Sequence, residues 1–209
     1  GAGGNDRLRV DESHGAFTNK EKTTFVGGSG ADRLIGGRFA ETLEGGAGND
    51  TVDGNAGADK VILGGDSDAL TWNAGEGRDR ANAGAGADTA TVSGTSGANT
   101  TTVTAASVPG HVAVGNGPDL LGIETLNVRP LGGADTTTIG DLPGTGLTTI
   151  DLDLGVSGAG DAAADAVTVN GTAGAVLVNV TGGAGSVTLT SLSLTLAILR
   201  AEPTTTRSR

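Results

Sequence analysis

The feature that most constrains this chain is an acidic side chain that returns at a nearly constant interval through the first half. An acid recurs every nine residues from Asp32 to Asp68, and an apolar residue follows each of these five acids two positions later. The most complete unit reads Gly45-Gly46-Ala47-Gly48-Asn49-Asp50-Thr51-Val52-Asp53. A unit of fixed length predicts stacked coils rather than a single globular core. The acids of the series are Asp32, Glu41, Asp50, Asp59, Asp68, Asp79 and Asp88.

The residue types within this unit suit a turn that binds a cation. Glycine permits positive φ values, so several glycines let a turn bring its carbonyl groups close to one point. Carbonyl and carboxylate oxygens are the ligands that calcium prefers, at about 2.3–2.6 Å. The pattern G-G-x-G-x-D-x-U-x, where U is a large aliphatic residue, is typical of calcium-binding β-helices. The seven acids are therefore predicted to mark a row of calcium sites.

Two nonapeptides are predicted to form one coil of a parallel β-roll, because each supplies one short strand with an inward apolar side chain. Asp32, Asp50 and Asp68 would then line one edge, and Glu41 and Asp59 the other. Coils stack at about 4.7–4.9 Å, where two like charges repel by roughly 3 kcal/mol at an effective dielectric constant of about 20. Folding without metal should therefore be poor.

Composition narrows the classes of function. The net charge is −11, so no nucleic-acid partner is expected. No stretch reaches the roughly 18 apolar residues of a membrane-spanning helix, and we expect no membrane insertion. The chain has no cysteine, which excludes disulfides and thiolate metal sites. It also has no methionine, which indicates a fragment or a processed piece of a protein.

The 39 glycines leave one alternative for residues 27–91, a flexible linker. The register of the acids argues against it, because a linker has no reason to hold an acid and an aliphatic residue two positions apart over five repeats.

From about Thr91 the nonapeptides give way to longer units rich in threonine, valine and leucine. Period-two alternation predicts short strands here, and one alternating run, Val187–Leu196, is predicted to be a single strand. No helical periodicity is convincing, so the second half is expected to continue as a β-solenoid with longer coils. The turn Gly132-Gly133-Ala134-Asp135 is similar to a calcium turn but differs in its spacing. Asp161 with Asp165 suits either an isolated ion or a solvated turn.

The predicted organisation is all-β and has four parts. Residues 1–26 hold a partial repeat and an irregular segment, and residues 27–91 form a calcium-binding nonapeptide β-roll. Residues 92–199 form a β-solenoid rich in threonine and valine, and residues 200–209 form a disordered tail.

These residues resemble the RTX, or haemolysin-type, calcium-binding repeat family of secreted bacterial proteins. The similarity is strongest over residues 27–62, and the segment Gly64–Gly77 resembles a block found in large bacterial calcium-binding proteins. The resemblance implies a parallel β-roll that is disordered without calcium and folds on export. It also implies several calcium ions held by turn carbonyls and aspartates. Carried over to this chain, it selects Gly28, Gly30, Asp32, Gly46, Gly48, Asp50, Gly57, Asp59 and Asp68.

No catalytic constellation is recognisable, so we expect no enzyme activity. The two histidines, His14 and His111, are far apart and are expected to be solvated, and neither a G-x-S-x-G nor an H-E-x-x-H motif occurs. The leading hypothesis is a calcium-binding module that stabilises an extracellular or cell-surface protein. Two alternatives stay open. One is an adhesin or surface-layer segment with an unknown partner, and the other is a non-catalytic accessory region of a secreted hydrolase.

Overall fold

In a computed structural model the chain forms two sheets of short strands. The structure describes residue 1 and residues 3–12, 23–156, 161–170, 177–181, 186–190 and 195–199. These residues include no helix, and thus none with the length and hydropathy needed to span a membrane. In chain order the strands are β1 (Arg7–Arg9), β2 (Thr24–Ser29), β3 (Arg33–Ile35), β4 (Thr42–Ala47), β5 (Thr51–Asp53), β6 (Lys60–Gly65), β7 (Ala69–Asn73), β8 (Arg80–Ala85), β9 (Thr89–Ser93), β10 (Thr100–Ala105), β11 (His111–Val114), β12 (Asp119–Leu121), β13 (Thr125–Arg129), β14 (Thr136–Ile139), β15 (Thr149–Asp153), β16 (Ala166–Asn170), β17 (Leu177–Thr181), β18 (Ser186–Thr190) and β19 (Thr195–Leu199).

The first nine strands alternate between the two sheets, so each pair of strands completes one coil. Sheet A has the order β1-β3-β5-β7-β9-β13-β15-β17-β19, and sheet B has the order β18-β16-β14-β10-β11-β12-β8-β6-β4-β2. Neighbouring coils pair in parallel, as Thr42 does with Lys60 and Thr51 with Ala69. The prediction of an all-β parallel β-roll with two nonapeptides per coil is therefore confirmed.

The core lies between the two sheets and is filled by the residue two positions after each acid. Leu34, Leu43, Val52, Val61 and Leu70 are each at most 2% exposed. The strands that carry them are buried at alternate positions, as the period of two requires. Burial of one such side chain contributes about 1.5–3 kcal/mol, so the repeat stabilises the roll coil by coil.

One antiparallel insertion interrupts the described part of sheet B. β10 pairs antiparallel with β11 and β11 with β12, and β12 then lies parallel beside β8. The chain returns to sheet A at β13, which pairs in parallel with β9. The roll therefore continues after the insertion with longer coils, as predicted, although the three residues of β12 gave no signal of a strand.

The prediction of one strand over Val187–Leu196 is wrong. β18 ends at Thr190 and pairs with β16 in sheet B, whereas β19 begins at Thr195 and pairs with β17 in sheet A. One long strand and two short strands in opposite sheets both bury every second residue, so alternation cannot distinguish them. The tail predicted to be disordered, residues 200–209, lies outside the described residues.

Candidate functional site

The acids that precede the strands of sheet A form one ladder along an edge of the roll, here called the first edge. The main-chain N–H of Asp32 donates to Asp50 Oδ1 over 2.8 Å, although the two residues are 18 positions apart. Asp50 donates in the same way to Asp68 over 2.7 Å, and Asp68 to Asp88 over 2.9 Å. Each carboxylate therefore fixes the turn of the coil before it. Asp88 in turn donates to Glu124 Oε2 over 2.8 Å.

The acids that precede the strands of sheet B form a second ladder, here called the second edge. The N–H of Glu41 donates to Asp59 Oδ1 over 2.7 Å, and that of Asp59 to Asp79 Oδ1 over 2.9 Å. Sequence reasoning separated these two edges correctly, because a spacing of 18 residues returns the chain to the same edge. All seven predicted acids therefore lie on one of the two edges.

The carboxylates leave half of their hydrogen-bonding capacity unused. The ladder acids from Asp32 to Asp88 are at most 6% exposed. In five of them one oxygen accepts the ladder hydrogen bond while the other is buried without any partner. These orphaned atoms are Oδ2 of Asp32, Asp50, Asp59, Asp68 and Asp88. An unpaired buried carboxylate oxygen is costly, so each needs a hydrogen-bond donor or a cation.

The glycine turns bring carbonyl oxygens to the same edges. In the turn before Asp50, Gly46 and Gly48 have φ values of 121° and 109°, which residues with a Cβ rarely adopt. A Cβ on Gly46 would also collide with the carbonyl oxygen of Gly28 in the preceding coil. Stacked turns thus leave no room for side chains, and the carbonyl of one turn packs against the glycine of the next.

The orphaned carboxylate oxygens and the carbonyls share one space. The point where a Cβ on Gly45 would stand touches Asp50 Oδ2 and lies 2.5 Å from the carbonyl oxygen of Leu63 in the next coil. Two acceptors therefore converge there with no donor between them. A hard cation that prefers oxygen ligands fits this arrangement.

The family comparison agrees with this geometry. Residues 23–38, 35–70 and 73–100 match the RTX calcium-binding nonapeptide repeat, in four copies. This part of the chain is an RTX repeat region. The predicted family is thereby confirmed, and RTX repeats are calcium-binding structural modules. No curated protein and no solved structure matches the chain.

Two RTX turns lack the glycine at the fourth position of the repeat, and one of them also departs from the usual backbone. Before Glu41, Phe39 takes the place of the fourth-position glycine, and neither Phe39 nor Gly37 has a positive φ. Glu41 instead accepts a hydrogen bond from the N–H of Gly37 over 3.0 Å, within its own turn. Before Asp68, Asp66 takes the glycine place and keeps a positive φ of 76°. The turn of Asp68 thus retains the RTX backbone, and that of Glu41 does not.

Burial makes these carboxyl groups difficult to ionise without a cation. It raises the pKa of Asp59 to about 7, with a further contribution from the charges of Asp79 and Glu41. Burial likewise raises the pKa of Asp68 and Asp79 to about 6. A divalent cation would compensate for the desolvation of the charged form.

The acids do not form a compact cluster. Within the described residues no group of three or more His, Cys, Asp and Glu side chains converges on a single point. A calcium ion on either edge would therefore take most of its ligands from other oxygens such as main-chain carbonyls, with at most two carboxylates supplying the charge.

Of the two histidines, only His111 lies in the described part of the chain, and it takes no part in the RTX ladders. His14 lies outside the described residues. His111 was expected to be solvated but is half-buried, and its Nδ1 lies 2.8 Å from Asp119 Oδ1. This contact joins the strands β11 and β12 of the antiparallel insertion. No sequence signal indicated that insertion, so the sequence could not show that His111 has a structural partner.

Proposed function

We propose that residues 27–91 bind several calcium ions along both edges of the roll, and that these ions drive its folding. The orphaned Oδ2 atoms beside stacked carbonyls carry this proposal. The ligand set is the turn carbonyls and carboxylates of Gly28, Gly30, Asp32, Glu41, Gly46, Gly48, Asp50, Gly57, Asp59, Asp68, Asp79 and Asp88.

The charge of the chain supports the same proposal. The net charge is −11, and the ladders place buried acids in adjacent coils. Calcium neutralises this repulsion, so binding free energy becomes folding free energy. Such a module suits an exported protein, because extracellular calcium sites operate at about 10⁻⁴–10⁻³ M. We therefore place the protein outside the cell or on its surface. The four-part organisation, with residues 1–26, 27–91, 92–199 and 200–209, belongs to the same proposal.

Circular dichroism during a calcium titration tests the proposed function. Without calcium, residues 27–91 should lose most of their β-structure, and the chain should regain it at millimolar calcium. A far-UV spectrum that is already β-rich in EDTA and does not change on calcium addition would contradict the proposal. Magnesium at equal concentration and ionic strength is the control, because its smaller octahedral shell suits these irregular turns poorly.

A second candidate, adhesion, is favoured by the outer face of sheet B. Thr102 pairs with Thr138, and Thr138 with Thr168, at one register. Thr102 is exposed and the other two are half-buried, so this uncharged row can contact a surface. Binding of the whole chain to immobilised polysaccharides tests this candidate. Thr138→Lys should abolish binding, whereas Thr91→Lys on sheet A is the control and should leave binding unchanged. Equal binding by the two variants would reject adhesion through this row.

A further inference from the structure

One turn beyond the matched RTX region has the backbone of a calcium turn. In the turn of Asp50 the residues four and two positions before the acid have positive φ values. Leu131 and Gly133 stand at those two positions before Asp135, with φ values of 76° and 110°. A leucine at positive φ is strained, because its Cβ crowds the backbone in that region. The turn therefore keeps the RTX conformation although its side chain disfavours it.

Asp135 continues the second edge after the antiparallel insertion. It is 1% exposed, and its Oδ1 accepts the N–H of Asn99, 36 residues earlier, over 2.7 Å. Its own N–H donates to Asp165 Oδ1 over 2.9 Å. Its Oδ2 is buried and has no partner, as in Asp50. The chain therefore presents at Asp135 the same orphaned oxygen as in the RTX repeats.

At Asn99, one rung earlier on the second edge, an amide nitrogen fills the place beside such a carboxylate. Its Nδ2 lies within hydrogen-bond distance of the carbonyl oxygens of Thr95 (3.0 Å), Pro130 (2.9 Å) and Gly97. The same nitrogen lies 3.0 Å from Asp135 Oδ1. One positively polarised group is thus surrounded by three carbonyl oxygens and a carboxylate oxygen, the two kinds of ligand that calcium prefers.

The turns of Asn99 and Asp50 correspond at the glycine five positions before each residue. Gly94, five residues before Asn99, packs against the carbonyl of Pro130, with a Cβ-to-oxygen distance of 2.5 Å. Gly45, five residues before Asp50, packs at the same distance against Leu63. The carbonyl of the next coil meets an N–H donor at Asn99 and an orphaned carboxylate oxygen at Asp50.

We propose that the turn Pro130–Asp135 binds a calcium ion through Asp135 Oδ2 and main-chain carbonyls, and that the amide of Asn99 replaces the ion one rung earlier. The choice of calcium rests on the proposed function of the RTX region. The location is independent of it, because it follows from the backbone and the orphaned oxygen of Asp135. The second edge therefore carries calcium sites on both sides of the insertion, with one metal-free rung.

Counting calcium ions bound by the whole chain, by equilibrium dialysis, tests the site. Asp135→Asn should bind one ion fewer than the wild type, because an amide then fills the place as at Asn99. Asp153→Asn removes the same charge from a half-buried strand end and should bind the full number. An unchanged count in Asp135→Asn, while Asp50→Asn loses an ion, would overturn this proposal alone. A wild type that binds no calcium would overturn the proposed function.

The reciprocal variant keeps the proposal testable if Asp135→Asn folds poorly. Asn99→Asp puts a carboxylate oxygen among the carbonyls of Thr95 and Pro130, so it should bind one calcium ion more than the wild type. A variant that binds the same number of ions as the wild type, or fewer, would overturn the assignment of Asn99 as a substitute for the metal.

Discussion

The two halves of the roll stabilise similar coils in different ways. In residues 27–91 successive ladder acids are 18 or 20 residues apart, and six aspartates are buried. In the described part of residues 92–199 the second edge has steps of 36 and 30 residues, and only Asp135 and Asp165 are buried acids. The first edge ends at Glu124, because Thr148 stands at the next rung and has no carboxylate; its hydroxyl donates to the main-chain oxygen of Glu124 over 3.0 Å.

The last coils of the RTX region have smaller core side chains than the coils of the second half. Toward the end of the RTX region the inward positions hold small residues, as at Ala81, Ala83 and Ala90. The half with longer coils, residues 92–199 and here called the long-coil half, instead buries larger aliphatic residues such as Ile139 and Ile150. A coil can thus be stabilised by cations at its edges or by apolar volume at its centre. The comparison predicts that calcium controls the first half much more strongly than the second.

The largest expected effect is the response of each half to removal of calcium. In EDTA the amides of β5 should lose their protection from hydrogen exchange, because the buried acids around them repel. The amides of β15 should stay measurably protected, since its own acids, Asp151 and Asp153, are only half-buried and belong to neither ladder. Exchange followed by mass spectrometry on peptides from both halves checks this difference. Equal loss of protection in β5 and β15 would remove the distinction.

A core substitution in the long-coil half should lower stability to the same extent with and without calcium. Ile150→Ala removes a fully buried side chain and should lower the free energy of unfolding by about 2–5 kcal/mol. The decrease should be similar with and without calcium, because no ladder acid contributes to this site. Urea denaturation of the whole chain gives the measurement. Thr149→Ala, at a half-buried neighbour, is the control, and an Ile150→Ala effect that appears only with calcium would contradict the account.

The first half should also respond to pH when calcium is absent. The folded-state pKa of Asp59 is about 7 and those of Asp68 and Asp79 are about 6, all above the ordinary value of 3.8. The folded state therefore binds more protons than the unfolded state between about pH 4 and pH 7. Its stability should fall as the pH rises through this window, while calcium affinity should rise.

Circular dichroism of the apo chain across this pH range checks the sign. Apo protein that gains β-structure as the pH rises would contradict the raised pKa values. Protein saturated with calcium is the control, since its acids are already charge-compensated.

The smallest expected effect is the difference between a ladder acid, Asp50, and a nearby acid outside the ladder, Asp53. Asp50→Asn should raise the calcium concentration at the midpoint of folding by about tenfold, equivalent to about 1.4 kcal/mol. Asp53→Asn should change it much less, because Asp53 is half-buried at a strand end, where its Oδ1 accepts the N–H of Asn55 over 3.0 Å. Equal midpoints for the two variants would show that ladder position does not matter.

Sequence periodicity predicted most of residues 27–91, because each nonapeptide by itself specifies a turn, an edge acid and a core residue. Glycines at fixed places allow the turn, the acid marks the edge, and the residue two positions later enters the core. This is why spacing alone assigns Asp32 and Asp50 to one edge and Glu41 to the other.

Periodicity predicted less of the long-coil half, where it missed the strand β12 and the backbone of the turn before Asp135. β12 has only three residues, and its place in sheet B depends on long-range pairing with β8. The turn before Asp135 looked unlike a calcium turn because Pro130 and Leu131 replace its first two glycines. Only the backbone shows that Leu131 adopts the positive φ that glycine normally supplies.

The central claim is that orphaned carboxylate oxygens on the edges of the roll are calcium ligands. A crystal structure of the calcium-loaded chain, with calcium identified by anomalous scattering, tests it most directly. The account predicts ions at about 2.3–2.6 Å from Oδ2 of Asp32, Asp50, Asp59, Asp68 and Asp88, completed by turn carbonyls. Edges that bind no ion, with these oxygens paired to protein donors or water, would contradict it.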